Sequence, residues 1–429
     1  MKQDNKEKNN AEEEYKAPKE FVQKKEKYQK NGFLWQNYQR LITEEKLYYT
    51  EEDKEIIKKL LYSPIPNQFR SEYWFISTGA KLEMENNPGY YQKLVNLIPK
   101  FENCFGFDVI EVDLPRTFKT MEFFKNADNL KSLSNILKAF TFRNSPSISY
   151  IQGFNYIAAQ IFLVMQNEEK VFWTFTKIIE DYLPFNYHFN MIGVKVYNEI
   201  LLSLMTDKIK VFRDHKELYP DFQSIILGCI PALFAHQIDI EVLRNIWDIF
   251  FIYGYVIILR AFYFFASVLL DRKYKNNIFE NDDVPFSDLT KNIKCNNLLN
   301  YFLLMDETIN NSYLNEEMKR AKKIVDDEDK KHPRKKEIGK NPKCDPTTPF
   351  CFYNQIINNV EAFSEYKIFK LKENTEKNEN YFSDLFNNDK FNDNNGKVIK
   401  NETKGDTFDD ILVERVSHVC TKENQVENK

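Results

Sequence analysis

Turn-forming residues are scarce, with 11 glycines and 15 prolines spread over 429 positions. So few breaks exclude a sandwich or barrel made of many tight turns and point to long helices. None of the six cysteines (Cys104, Cys229, Cys295, Cys344, Cys351 and Cys420) stands in a C-x-x-C pair, and the five histidines complete no metal-ligand pattern beside them. Ordinary thiols of a reducing compartment are expected, and no metal. An apolar signal-peptide core is missing from the polar start MKQDNKEKNNAEEEYK, so a cytoplasmic location is expected. Charge of one sign is missing too. The 60 basic and 64 acidic residues leave a net charge of −4, which offers nucleic acid no strongly basic face.

A clean membrane span is also lacking. The stretch that comes nearest, residues 246–270, contains Asp248 and Arg260, each costly in lipid, and Gly254 divides it as a helix C-cap would. It reads as two buried helices, with the aromatic residues Phe250, Phe251, Tyr263 and Phe264 as core. Several chemistries drop out with their motifs. There is no G-x-x-x-x-G-K-[ST], so the chain has no nucleotide site of its own, and no G-x-S-x-G, H-E-x-x-H, Rossmann or kinase signature.

What is present is a 42 % hydrophobic content arranged with helical spacing. Residues 1–30 are dominated by Lys, Glu, Asn and Gln and are expected to be a disordered tail. Apolar periodicity begins near Phe33, Leu34 and Trp35 and continues through Ile56, Ile57, Leu60 and Leu61, where Ser63-Pro64-Ile65-Pro66 stops it. Phe154, Ile157, Ala158, Ile161 and Met165 form one helix face; Val171, Phe175 and Ile178 begin another, and Ile200, Leu201 and Leu204 a third. Strand-like alternation is hard to find, so the fold class expected is all-α, a multi-helix domain over residues 31–325. Residues 326–429 are charged and Asn-rich and are expected to be mostly disordered, with a docking helix near 350–371.

Two segments carry candidate chemistry. In Ile110-Glu111-Val112-Asp113-Leu114-Pro115-Arg116, the proline is tolerated only in a first helical turn and biases Leu114 away from helical angles. That places Arg116 at a loop-to-helix junction, where Asp113 caps the helix or holds the guanidinium. Taken alone this is a surface Asp–Arg pair at a helix start. In Tyr150-Ile151-Gln152-Gly153-Phe154-Asn155, Ser147 or Ser149 is a natural N-cap, Gln152 falls in the first helical turn, and Gly153 leaves room for another backbone. Taken alone this is a polar residue in an N-terminal turn. Together they offer a guanidinium to neutralise charge on a transferred phosphate and an amide to orient water, near helix N-termini that favour anions.

These motifs resemble the TBC-domain family of Rab GTPase-activating proteins. R-x-x-x-W is Arg70 to Trp74, I-x-x-D-x-x-R is Ile110, Asp113 and Arg116, and Y-x-Q-G is Tyr150, Gln152 and Gly153, followed by Asn155. Trp247-Asp248 with Gly254 and Arg260 matches a later pattern. The resemblance covers about residues 60–325. It implies an all-helical domain acting in trans on a Rab-family small GTPase in vesicle trafficking, with Arg116 as arginine finger and Gln152 as the water-orienting glutamine in place of the GTPase's own. Asp113 would position Arg116, Tyr150 would shape the nucleotide-facing surface, and Arg70 and Trp74 would brace the fold near the site. GTP and Mg²⁺ would come bound to the partner, which would also bring the domain to endomembranes by peripheral association. The alternative is a catalytically silent Rab-binding scaffold, although such members usually lack the arginine or the glutamine. Two positions depart from the pattern: Pro64 replaces a glycine, and a tryptophan usual before Leu-x-x-Phe is missing from Cys229-Ile230-Pro231-Ala232-Leu233-Phe234.

Overall fold

A computed structural model of the chain describes residues 33–43, 45–100, 106–144, 150–183, 191–275, 298–299, 302, 309 and 311–331. The described residues contain helices and no strand. In chain order they begin with α1 (Phe33–Leu41) and α2 (Glu51–Leu60). A reciprocal capping box starts α2: Thr50 Oγ1 accepts from Asp53 N–H, and the Asp53 carboxylate accepts from Thr50 N–H. The two prolines end that helix as expected, and Pro66 is the N-cap of α3 (Asn67–Ser77).

Next come α4 (Ala80–Asn86), α5 (Tyr90–Leu97), α6 (Phe107–Asp113), the short α7 (Glu122–Lys125) and α8 (Ala127–Asn144). The centre is α9 (Phe154–Met165) with α10 (Glu168–Lys177), which pack on each other and on α8, while α10 also packs on α4. Residues 171–177 of α10 are all buried, as befits a helix enclosed on every side. The remainder is α11 (Ile192–Lys208), α12 (Lys210–Asp214), α13 (Tyr219–Cys229), α14 (Ile240–Tyr253), α15 (Val256–Lys275) and α16 (Asn311–Lys331). The three apolar faces named above are buried in α9, in α10 with its continuation at Ile178, and in α11.

The described residues all fall in the first of two units, Met1–Val360; the second, Glu361–Lys429, lies outside them, as do residues 1–30 and the segment 350–371 expected to dock as a helix. One boundary differs from expectation. Buried Ala321 and Val325 anchor α16, which runs past residue 325 into the charged stretch as far as Lys331.

Gly254 divides the 246–270 stretch, closing α14 before α15 begins at Val256. No described helix is long and apolar enough to cross a membrane. Arg260 is buried and donates to the carbonyls of Phe302 at 2.9 Å and Ile309 at 2.8 Å. Phe250 and Phe251 are buried, and Tyr263 and Phe264 are half-buried against the same core.

Asp248 is the acceptor that clamps α3 to α14. Arg70 Nε donates to its Oδ1 at 3.2 Å, Arg70 Nη2 to Oδ2 at 3.1 Å, and Trp74 Nε1 to Oδ1 at 2.6 Å. Tyr73 Oη donates to the Asp248 carbonyl at 2.6 Å, and the Trp74 and Trp247 rings meet at 5.5 Å. Burial pushes the Asp248 carboxyl up to about 6, against the opposing pull of Arg70. Arg70→Met strands this buried carboxyl, so it is expected to destabilise the fold by about 3–5 kcal/mol. A lowered urea midpoint with an unchanged slope is the expected readout.

Candidate functional site

The arginine segment takes shape from its apolar positions. Phe107, Ile110, Asp113 and Leu114 face inward, while Val109 and Val112 on the other side are 41% and 64% exposed. Pro115 has no N–H to continue α6, so the chain tightens into a 3₁₀ turn, Leu114–Arg116, closed by Thr117 N–H on Leu114 O at 3.1 Å. This corrects two sequence expectations. Arg116 ends a helical stretch instead of opening one, and Leu114 keeps helical angles (φ −55°, ψ −51°) despite the following proline. Burial of Leu114 outweighs the steric bias. A helix C-terminus is the favourable end for a cation.

Asp113 does not cap; it holds the guanidinium. Its carboxylate is 1% exposed and accepts from Arg116 Nη2, whose side chain is 49% exposed. The other carboxylate oxygen accepts from Tyr150 Oη at 2.6 Å. Burial and the neighbouring carboxylate push the Tyr150 phenol well up, so it remains a donor. The same carboxylate raises the Arg116 pKa further, so the guanidinium is permanently charged. Only Nη2 is engaged among the described residues, and the side chain that carries the rest of the planar fork is half-exposed.

Gln152 lies in the turn before α9. The N-cap is Gly153 at φ 110°, so Gln152 precedes the first helical turn where it was expected; Ser147 and Ser149 lie outside the described residues. Gly153 is required twice over: by its left-handed φ, and by Ala232 Cβ, which would stand 3.3 Å from a Cβ added there. The close neighbour is therefore the Ala232 side chain, within this chain, in place of the expected backbone. Gln152 is exposed, and its amide has no hydrogen-bond partner among the described residues.

Hydrogen bonds join the two segments. Gly153 N–H donates to Asn155 Oδ1 at 3.2 Å, Asn155 Nδ2 to Thr117 Oγ1 at 2.8 Å, and Thr117 Oγ1 to the Asp113 carbonyl at 2.8 Å. Asp113, Tyr150, Gly153 and Asn155 thus form one cluster, with Arg116 and Gln152 at its surface. Thr117 escaped sequence reasoning; the only signal was a hydroxyl beside the arginine. Phe118, at a strained φ of 42°, sets its ring edge-on to Tyr156 at 5.3 Å, and Tyr156 stacks on His236 at 4.2 Å. Arg70 and Trp74 are occupied by Asp248, and no hydrogen bond among the described residues ties them to Arg116 or Gln152.

The Rab-GTPase-TBC domain family matches the chain over residues 67–279. Growth hormone-regulated TBC protein 1 of Xenopus laevis is 30% identical over 244 residues, spanning 55% of this chain and 69% of that protein. The chain belongs to this family. The human protein of the same name is 29% identical over 246 residues, covering 55% of this chain and 70% of its own length. The crystal structure of the Ypt/Rab-GAP domain of Gyp1p shares the fold, with a TM-score of 0.51 at 15% identity, covering 64% of this chain and 99% of that one. All the candidate residues lie inside the TBC match. So does the atypical 229–234 segment, whose Ala232 lies close against Gly153. Its strained Leu233 and Phe234 (φ 49° and 64°) are held in part by Trp247 Nε1, which donates to Leu233 O at 3.1 Å.

Proposed function

We propose that the chain accelerates GTP hydrolysis on a Rab-family small GTPase, with Arg116 as the arginine finger and Gln152 as the water-orienting amide, both supplied in trans. Membership of the TBC family supports a Rab-GAP role. One observation carries the residue assignment. A half-exposed guanidinium is seated on the buried Asp113 carboxylate and is tied through Tyr150 and Asn155 to the turn that presents Gln152. Arginine stabilises charge developing on the transferred phosphoryl group, and the carboxamide holds the attacking water in line. GTP and Mg²⁺ are brought by the partner, and contact with membranes comes through that partner. The exposed valines of α6 would meet the GTPase beside the finger. A panel of purified Rabs loaded with GTP, incubated with wild type and Arg116→Ala, tests the proposal. Accelerated phosphate release on at least one Rab, lost in the variant, supports it. Equal rates with both proteins on every Rab would refute it.

A further inference from the structure

We propose that the Thr117 hydroxyl is a positioning residue that latches the Arg116 turn to the Gln152 turn. The inference rests on the Rab-GAP activity proposed above. A buried threonine at a helix end often donates to the carbonyl four residues back, and the bond from Thr117 to Asp113 O is of that kind. The second partner sets it apart. Thr117 Oγ1 also accepts from Asn155, 38 residues away, and Asn155 in turn holds the Gly153 amide. Thr117 directly follows Arg116, and the Gly153 nitrogen belongs to the peptide that directly follows Gln152. The latch therefore grips the backbone one step beyond each candidate catalytic side chain.

The hydroxyl at the centre of this path is fully used as a donor. A hydroxyl has one proton to give, and Thr117 gives it to Asp113 O; its lone pair receives the Asn155 amide. Every donor points the same way, so each bond polarises the next. Thr117 is 1% exposed and Asn155 is fully buried, so water does not compete for the bonds. Tyr150 adds a parallel tie to the Asp113 carboxylate, but that bond runs through a long side chain to the group that holds the finger. The bonds through Thr117 act on main chain, and the threonine's branched Cβ stiffens its side chain.

Thr117→Val, close in shape but without the hydroxyl, tests the latch in the full chain. Expected is a drop of about 10- to 100-fold in kcat on a responsive Rab, with KM for Rab·GTP changed by no more than about twofold. A merely structural threonine would lower the melting temperature and leave kcat alone at temperatures well below the transition. Thr117→Ser, which keeps the hydroxyl, should restore kcat. Should valine prevent folding, Thr117→Ala carries the same comparison. A readout independent of any GTPase is hydrogen exchange at the Gly153 amide, expected to rise about tenfold in the valine variant and little in the serine one. Wild-type kcat in the hydroxyl-free variant, or unchanged Gly153 exchange, would overturn the latch. If wild type accelerates no Rab while Gly153 exchange still rises, the proposed activity falls and the structural latch stands.

Discussion

Arg116→Lys is expected to lose about 10³- to 10⁵-fold in accelerated GTP hydrolysis, nearly the whole contribution of an arginine finger. At about 1.4 kcal/mol per decade this is ~4 to 7 kcal/mol of transition-state stabilisation. Lysine keeps the charge, so the prediction isolates geometry. In the structure one guanidinium nitrogen is spent on Asp113, and the side chain is half-exposed, with no other hydrogen bond among the described residues. A planar group can divide its work in this way, with one edge held by the protein and the rest offered to phosphate oxygens. A compact ammonium has to choose between the buried carboxylate and the ligand. The half-exposed side chain carries little of the core, so the fold should survive and binding of Rab·GTP should change far less than kcat. Single-turnover phosphate release gives the rate, and a melting curve checks the fold. Retention of hydrolysis within about tenfold of wild type would remove Arg116 from the mechanism.

Gln152→Ala is expected to cost about 10²-fold or more in kcat, the scale of a misplaced water and its proton transfer. The substitution should be almost silent in stability, because the amide is exposed and makes no hydrogen bond among the described residues. The neighbouring Gly153 is the fold-sensitive residue of this turn, not the glutamine. A complementary measurement identifies which glutamine acts. A Rab whose own active-site glutamine is replaced by alanine should still respond to wild type and should not respond to Gln152→Ala. If the Rab variant is unresponsive to wild type as well, the water is held by the GTPase and Gln152 has another role.

Periodicity and breakers carried much of the fold into view before any coordinates. Buried faces at helical spacing, the Pro64 and Pro66 stop, and the division at Gly254 follow from local rules acting over a few residues. Motif chemistry singled out Arg116 and Gln152 as candidates, and the structure leaves both side chains exposed beside one hydrogen-bonded cluster. Local rules failed at the turns themselves. Pro115 suggested the start of a helix and instead ends one, because burial of Leu114 outweighs a modest backbone preference. Gln152 fell one step outside its helix, because Gly153 at φ 110° takes the N-cap against Ala232, a neighbour no local pattern could supply.

By itself the sequence determined an all-helical domain, the family it belongs to, and which side chains could serve phosphate chemistry, since each of these is written in spacing and residue type. Tertiary structure alone decided that Asp248 is the acceptor joining α3 to α14, that Asp113 is spent on Arg116 and Tyr150 and caps nothing, and that Thr117 and Asn155 connect the two candidate segments. Apart from Asp113–Arg116, three residues apart and left open between capping and ion pairing by the sequence, each is a pairing between residues distant in the chain. Whether a polar group finds its partner there depends on which helices the core brings together.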